Sequence, residues 1–330
     1  MDRLGKRLMN VLVTGGAGYI GSHMVHVLVL AGHHVVVVDD LSAGHRDAVS
    51  PKAVFVQADV RDRDAVGTAL RGHRIDAVLH FASRIQVGES VTNPRRYYRD
   101  NLVAAVDLLD TVLDAGVGHF ILSSTAAVYG DPQRTPLDEA HPTLPVNPYG
   151  ATKLAVERML ADYERAHGLA WAALRYFNAA GAAPALGLGE RHEPETHLIP
   201  LVVGAALGKR PPLTVFGTDY ATPDGTCVRD YVHVLDLADA HLLALEHLRA
   251  GRPGGAFNLG SGSGHSVRDV IAAVETRTGK SVPVTFGARR AGDPPVLVAS
   301  SARAERELGW KKTRSSLERI VDDAVAFETT

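Results

Sequence analysis

Cysteine is almost missing from this chain: Cys227 is the only one in 330 residues. A single thiol makes no intrachain disulfide and no zinc site of its own, and it suits a reducing cytoplasm. An excess of one charge is missing too. Lys and Arg number 35 against 37 Asp and Glu, and with no long basic run nothing points to nucleic acid or an anionic membrane. No apolar run is long enough to span a bilayer; the richest, Val25 to Val38, is broken by His26, Gly32, His33 and His34. The short apolar run after Arg3, Lys6 and Arg7 stops at Gly15, too soon for a signal-peptide core. Internal repeats and low-complexity tracts are lacking as well. What is present, 45% hydrophobic and 22% charged residues, is ordinary globular composition. The length suits one large α/β domain plus a smaller one.

Short apolar runs alternate with helical patterns through the first half. Strands are expected at Val11 to Thr14, Val35 to Val38, Ala53 to Gln57, Asp76 to Phe81, His119 to Ser123 and Ala172 to Tyr176. Helices are expected at Tyr19 to Ala31, Asp62 to Leu70, Pro94 to Ala115, and from Pro148 onward, where proline suits the first turn. This alternation predicts a doubly wound parallel sheet, a Rossmann arrangement. After Asn178 the pattern loosens, and residues 179 to 197 read as a crossing loop. The expected organisation is a dinucleotide-binding domain over 9–178, with later segments returning to it, and a smaller C-terminal α/β substrate domain over 179–330.

Gly15, Gly18 and Gly21, with Tyr19 and Ile20 between them, follow the first strand and open the first helix. Glycines there let backbone approach a pyrophosphate, and the helix start offers free amides. Asp39 ends the second strand, about two dozen residues on, where an acid can bind ribose hydroxyls. With Asp40 beside it, a 2′-phosphate is disfavoured and NAD preferred over NADP. Asp59 and Val60, after the third strand, suit the adenine edge. Ser123, Ser124 and Thr125 lie at a strand's carboxyl end, where open α/β sheets bind ligands. Tyr149 and Lys153, four apart, share a helix face. An ammonium beside a phenol lowers the phenol's pKa, so this pair predicts a tyrosine able to take a proton from an alcohol.

These stretches, together with Val87-Gly88-Glu89-Ser90, Arg175-Tyr176-Phe177-Asn178, Asp224-Gly225-Thr226-Cys227-Val228-Arg229-Asp230-Tyr231 and Arg289-Arg290-Ala291-Gly292-Asp293, resemble the extended short-chain dehydrogenase/reductase family. Within it the similarity is to the 4-epimerases of UDP-hexoses. The resemblance runs from about Asn10 to Phe327. It implies an enzyme with NAD as cofactor, Tyr149 as acid/base, Lys153 as its electrostatic partner and ribose ligand, and Thr125 as hydroxyl partner. Phe81, Ala82, Ser83, Asn101 and Tyr176 join the glycine loop, Asp39, Asp40, Asp59 and Val60 as implied cofactor positions. Asn178, Leu198, Phe216, Arg229, Arg290 and Asp293, with Thr125, are the implied UDP-sugar positions. The implied reaction is oxidation at C4, turning of the 4-ketose and re-reduction, interconverting UDP-galactose and UDP-glucose. A homodimer pairing the helices near 94–115 and 149–166 is implied too. Leu297 matches the position that gates N-acetylated sugars. An epimerase of another UDP-sugar, or a nonenzymatic NAD-sensing protein, are the alternatives.

Three positions depart from the family pattern. Arg84 stands near a usual lysine, Asp100 replaces the first of two asparagines, and His197 replaces an asparagine. Related dehydratases place an acid just after the threonine; Ala126 and Ala127 stand here instead. His192 and His197 are five apart with Pro194 between, which is not the i, i+4 pair of a helical zinc site, so a loop and no metal are expected.

Overall fold

The computed structural model describes residues 8–289 and 294–330. In chain order the first half runs β1 (Asn10–Thr14), α1 (Tyr19–Leu30), β2 (His34–Asp39), β3 (Val54–Gln57), α2 (Arg63–Gly72), β4 (Ala77–His80), α3 (Val87–Thr92), α4 (Pro94–Tyr97), α5 (Ala104–Asp114), β5 (His119–Thr125), α6 (Pro148–His167) and β6 (Ala170–Tyr176). The second half adds β7 (Asn178–Ala180), α7 (Leu198–Ala206), β8 (Leu213–Phe216), β9 (Val228–His233), α8 (Val234–Arg249), β10 (Gly255–Leu259), β11 (Gly264–Ser266), α9 (Val267–Thr278), β12 (Val284–Gly287), β13 (Val296–Leu297) and α10 (Leu317–Thr329).

A seven-stranded sheet in the order β10-β6-β5-β4-β1-β2-β3, parallel throughout, forms the frame. Its strands are runs of Val, Leu and Ala because both faces are covered. Successive side chains point to opposite faces. Leu12, Val36, Val78 and Phe120 pack with α2, α5 and α6, while Val11, Val35, Ala77 and Ile121 pack with α1 and α8. The order reverses between β1 and β4, and ligands in such sheets bind beyond the carboxyl ends of the strands at that point. β10 comes from the second half, so the later chain does return to the first sheet.

A four-stranded sheet (β11-β9-β13, with β7 on β9) and the parallel pair β8–β12 make a smaller layer. Ile199, Val202, Val270, Val274, Ile320 and Val321 from α7, α9 and α10 pack with it. No helix among the described residues is long and apolar enough to cross a membrane.

The structure differs from expectation in places. The single helix expected over Pro94 to Ala115 is interrupted by a π-helical turn, Tyr98–Val103, between α4 and α5. Asn178–Ala180, inside the expected loop region, adds a short strand to β9. β9 itself and α10 are also additions, although α10 carries a helical repeat of buried Leu317, Ile320, Val321 and Val325 behind a Ser316 cap.

Candidate active site

The carboxyl ends of the central strands open into a cleft of about 1150 Å³ that also touches the smaller layer. On the first wall, Gly15 has φ +71°, and a Cβ there would stand 2.5 Å from the Ala82 amide nitrogen. A Cβ on Gly21 would lie 2.1 Å from the Gly15 carbonyl oxygen. Both glycines are demanded by close backbone packing. Gly18 is different: it is the N-cap of α1, brings no side-chain cap, and lines the cleft. The first turn of α1 therefore has no side-chain cap, and its residues Tyr19, Ile20 and Gly21 line the cleft, an arrangement suited to a phosphate.

Asp39, Asp40, Asp59 and Val60 line the same wall. Asp39 accepts from the amides of Ala17 (2.9 Å) and Leu41 (2.8 Å), and burial still holds its carboxyl above the usual range. Asp59 is gripped by Arg61, whose bonds pull its carboxyl down. Phe81, Ala82 and Ser83 follow β4 into the cleft, and Tyr176 ends β6 there. The Tyr176 hydroxyl is bonded to His241 Nε2, and burial raises its pKa. The residues fit a dinucleotide: an uncapped helix start, close-packed glycines and an acid at the end of β2.

Thr125 and Tyr149 meet on the second wall. Asn147 caps α6 by accepting from Gly150 N (2.9 Å), and Pro148 fills the first turn. Gly150 packs so closely on the turn after Thr125 that a Cβ would stand 2.3 Å from Ala127 O. That contact brings Tyr149 beside Thr125. Burial pushes the Tyr149 phenol up to about 12, and the Thr125 hydroxyl opposes the rise. Lys153 is buried; its Nζ donates to Ser83 Oγ (2.7 Å) and Ser123 O (2.8 Å). Burial brings its pKa down to about 7 against the pull of Glu157. The shared helix face is there, but the ammonium bonds to the strand ends instead.

Lys153 and Asn101 stand behind the lining, not in it. Asn101 lies in the π-helical turn, where it accepts from Arg84 N (2.7 Å) and donates to Arg84 O (3.0 Å). It thus clamps the loop that carries Ser83 to Lys153. π-turns of this kind often mark functional sites.

Asn178, Leu198, Phe216, Arg229 and Leu297 line the far end of the cleft, in the smaller layer. Asn178 donates to Asp230 O (2.8 Å), and Arg229 to Val228 O and Pro294 O. The remaining two sugar-site expectations, Arg290 and Asp293, lie outside the described residues.

Two groupings were not anticipated. Ser124 donates to Glu157 (2.5 Å), which is paired with Arg175 (2.6 Å) in the interior. The loop after Leu188 gathers Glu190, His192, Glu195 and His197, with ligand-type atoms all within 4.8 Å. The Nδ1 atoms of His192 and His197 both reach Glu190 Oε1 (3.0 and 2.7 Å). Burial alone would lower the His197 imidazole, but its bonds to Glu190 and Glu195 push it up to about 10. The segment is a loop, as expected from the proline. Yet looping is what brings the two histidines together, so spacing alone was a poor guide to their proximity.

Taken together, an uncapped helix start and a hydroxyl pair line one cleft, with the buried Lys153 just behind it, a set able to move a proton beside a bound dinucleotide. Residues 11–260 match the NAD dependent epimerase/dehydratase family. A UDP-glucose 4-epimerase of Azospirillum brasilense is 52% identical over 318 residues, covering 96% of this chain and 91% of that protein. The crystal structure of UDP-glucose 4-epimerase from Brucella ovis in complex with NAD is 48% identical, with a TM-score of 0.94 over 96% of this chain and 97% of that one. The Bifidobacterium longum UDP-glucose 4-epimerase in complex with NAD+ and UDP is 37% identical, with a TM-score of 0.92 over 97% and 98% of the two chains.

Proposed function

The chain belongs to the NAD dependent epimerase/dehydratase family, and we propose that it is an NAD-dependent isomerase interconverting UDP-galactose and UDP-glucose. The observation that carries this reading is the Thr125–Tyr149 hydroxyl pair, side by side in a cleft whose other wall is the uncapped start of α1. Gly15, Gly18, Tyr19, Ile20 and Gly21 would hold the pyrophosphate, and Asp39, Asp40, Asp59 and Val60 the adenosine. The chemistry supplied by the bound dinucleotide is reversible hydride acceptance at C4 of the hexose.

Tyr149 Oη, as phenolate, takes the proton of the hexose 4-hydroxyl and returns it to the same oxygen once the turned 4-ketose is reduced on its other face. Thr125 holds the same oxygen. A phenol near 12 is a poor base at neutral pH, so positive charge must approach it for this step. Lys153, held through Ser83 and Ser123 on the same helix face, would supply it, with the charge of an oxidised nicotinamide adding to it when the cofactor is bound. Arg229 and Asn178 anchor the nucleotide half of the substrate, with Arg290 and Asp293 completing that end. Binding energy gathered there leaves the sugar free to turn. Ala126 and Ala127 supply no acid for dehydration. Leu297, half-buried beside the cleft, favours hexoses without an N-acetyl group.

Tyr149→Phe keeps the fold and UDP binding and lowers turnover of UDP-galactose by at least about a hundredfold, the low end of a lost general acid/base. The assay is run without added NAD; near-normal turnover by the variant would sink the assignment. Comparable rates on UDP-N-acetylglucosamine would move the substrate class and leave the chemistry intact.

The working unit is a dinucleotide-binding part over 9–178 and a sugar-nucleotide part from 179 onward, with β10 and α8 returning to the first. Its proposed setting is the cytoplasm, which keeps Cys227 reduced. A homodimer through α5 and α6 is the proposed assembly, supported by Tyr98 and Val103, apolar and about half exposed on that side. Sedimentation equilibrium checks it, and a monomer at micromolar concentration argues against it.

A further inference from the structure

Arg84 and Asp100, the two departures near the cofactor wall, are partners. Arg84 Nε donates to Asp100 Oδ2 at 3.1 Å. Asp100 also meets Arg61 at 3.5 Å and Arg96 at 3.8 Å. Arg61 in turn forks onto Asp59, with Nε to Oδ1 at 2.9 Å and a 2.5 Å contact to Oδ2. The links therefore run Asp59–Arg61–Asp100–Arg84 without a break.

Their placement gives the chain of pairs a purpose. Asp59 and Arg61 follow β3, and Arg84 follows β4. In the sheet those strands are separated by β1 and β2, three strand spacings or roughly 14 Å. The pairs thus join the two segments that flank the carboxyl ends of β1 and β2, where the glycine loop and Asp39 lie. Asp100 is the only member of the run from outside the strand ends, on the π-helical turn. The Arg84 backbone is held on both sides by Asn101, and the adjacent Ser83 bonds to Lys153. Movement of either flank must break an ion pair at Asp100. With Arg61, Arg84 and Arg96 around it, loss of the Asp100 charge also leaves three guanidinium groups facing one another.

We propose that Asp100 is a positioning residue that ties Arg61 to Arg84 across the dinucleotide wall and thereby sets how slowly the cofactor leaves. This rests on the NAD reading given above. An uncharged side chain here could not make these ion pairs, so this chain should retain NAD through a salt-sensitive strap.

Release is read by diluting the NAD-loaded protein into alcohol dehydrogenase and ethanol, which reduce whatever NAD escapes; no epimerase turnover is needed. Asp100→Asn is expected to speed release by about threefold to tenfold, as for the loss of three partly exposed ion pairs. Wild-type release should quicken as salt rises from about 0.05 M to about 0.5 M, because such pairs are screened. The variant should lose that salt dependence and Asp100→Glu should restore it, a signature that general loosening of the fold does not produce. Should Asp100→Asn fold poorly, Arg61→Met removes the other arm without touching the π-turn and should act in the same direction. Unchanged release in both variants, or a salt dependence that survives them, overturns the strap. Protein that never carries NAD overturns the cofactor reading and the strap with it, whereas a strap failing in NAD-loaded protein leaves the epimerase reading standing.

Discussion

At the scale of single residues, Tyr149 and Lys153 show what spacing conveys and what it cannot. Four residues of helix put both on one face, and both are near the cleft as expected. Their charges are another matter, because a pKa depends on burial and on the chosen partner. Lys153 is only 2% exposed, and its bonds go to Ser83 and Ser123. Burial lowers its pKa to about 7, whereas an unfolded lysine titrates near about 10.4. Between those values the unfolded chain holds a proton that the native protein has released, so native stability rises with pH across that window. The penalty is full below about 7 and gone above about 10.4. Lys153→Met lacks this dependence. Chemical denaturation from pH 7 to pH 9 should therefore show wild type gaining on the variant as pH rises, and parallel curves would refute the assignment. His197 was equally opaque in sequence: its imidazolium depends on Glu190 and Glu195, brought together only by the folded loop.

At the scale of elements, α6 is tied to the sheet by a buried ion pair as well as by Lys153. Glu157 of α6 receives Arg175 of β6 and Ser124 of β5, and Arg175 also donates to Tyr129. Both charges are buried, at 4% and 6% exposure. Removing one partner of a buried pair leaves the other uncompensated, so Arg175→Met should cost about 3–5 kcal/mol in a urea melt. Arg175→Met combined with Glu157→Leu should recover most of that; a double variant no better than the single would show that packing dominates. The apolar strands of the main sheet were legible because burial on both faces writes a continuous hydrophobic run. β9 was not, since its Arg229 and Asp230 look like surface residues. In the structure Asp230 is fully buried, accepting from Ser261, Gly262 and Ala299 backbone amides. The π-turn was invisible for a related reason. Its sequence keeps helical propensity, and the extra residue per turn serves to aim Asn101 at the Arg84 backbone.

For the whole molecule, the cleft is assembled from distant stretches of chain. The glycine loop comes from the first two dozen residues, whereas Phe216, Arg229 and Leu297 arrive after the crossing loop. The family motifs exposed this organisation in sequence, but only the sheet order shows why it works. The switch point between β1 and β4 opens beneath one wall, and the smaller layer supplies the other. The two ends should consequently respond to different ligands. UDP added to the NAD-loaded protein should slow amide exchange in β8, β9 and the first turn of α7, and leave the strand ends around Gly15 and Asp39 little changed. It should also stabilise the fold by about 2.7 kcal/mol at a hundredfold excess over its dissociation constant, from mass action alone. Hydrogen exchange read by mass spectrometry resolves these segments. Protection confined to the glycine loop would mean that UDP competes for the dinucleotide wall, and the division of the cleft into a cofactor end and a sugar-nucleotide end would be wrong.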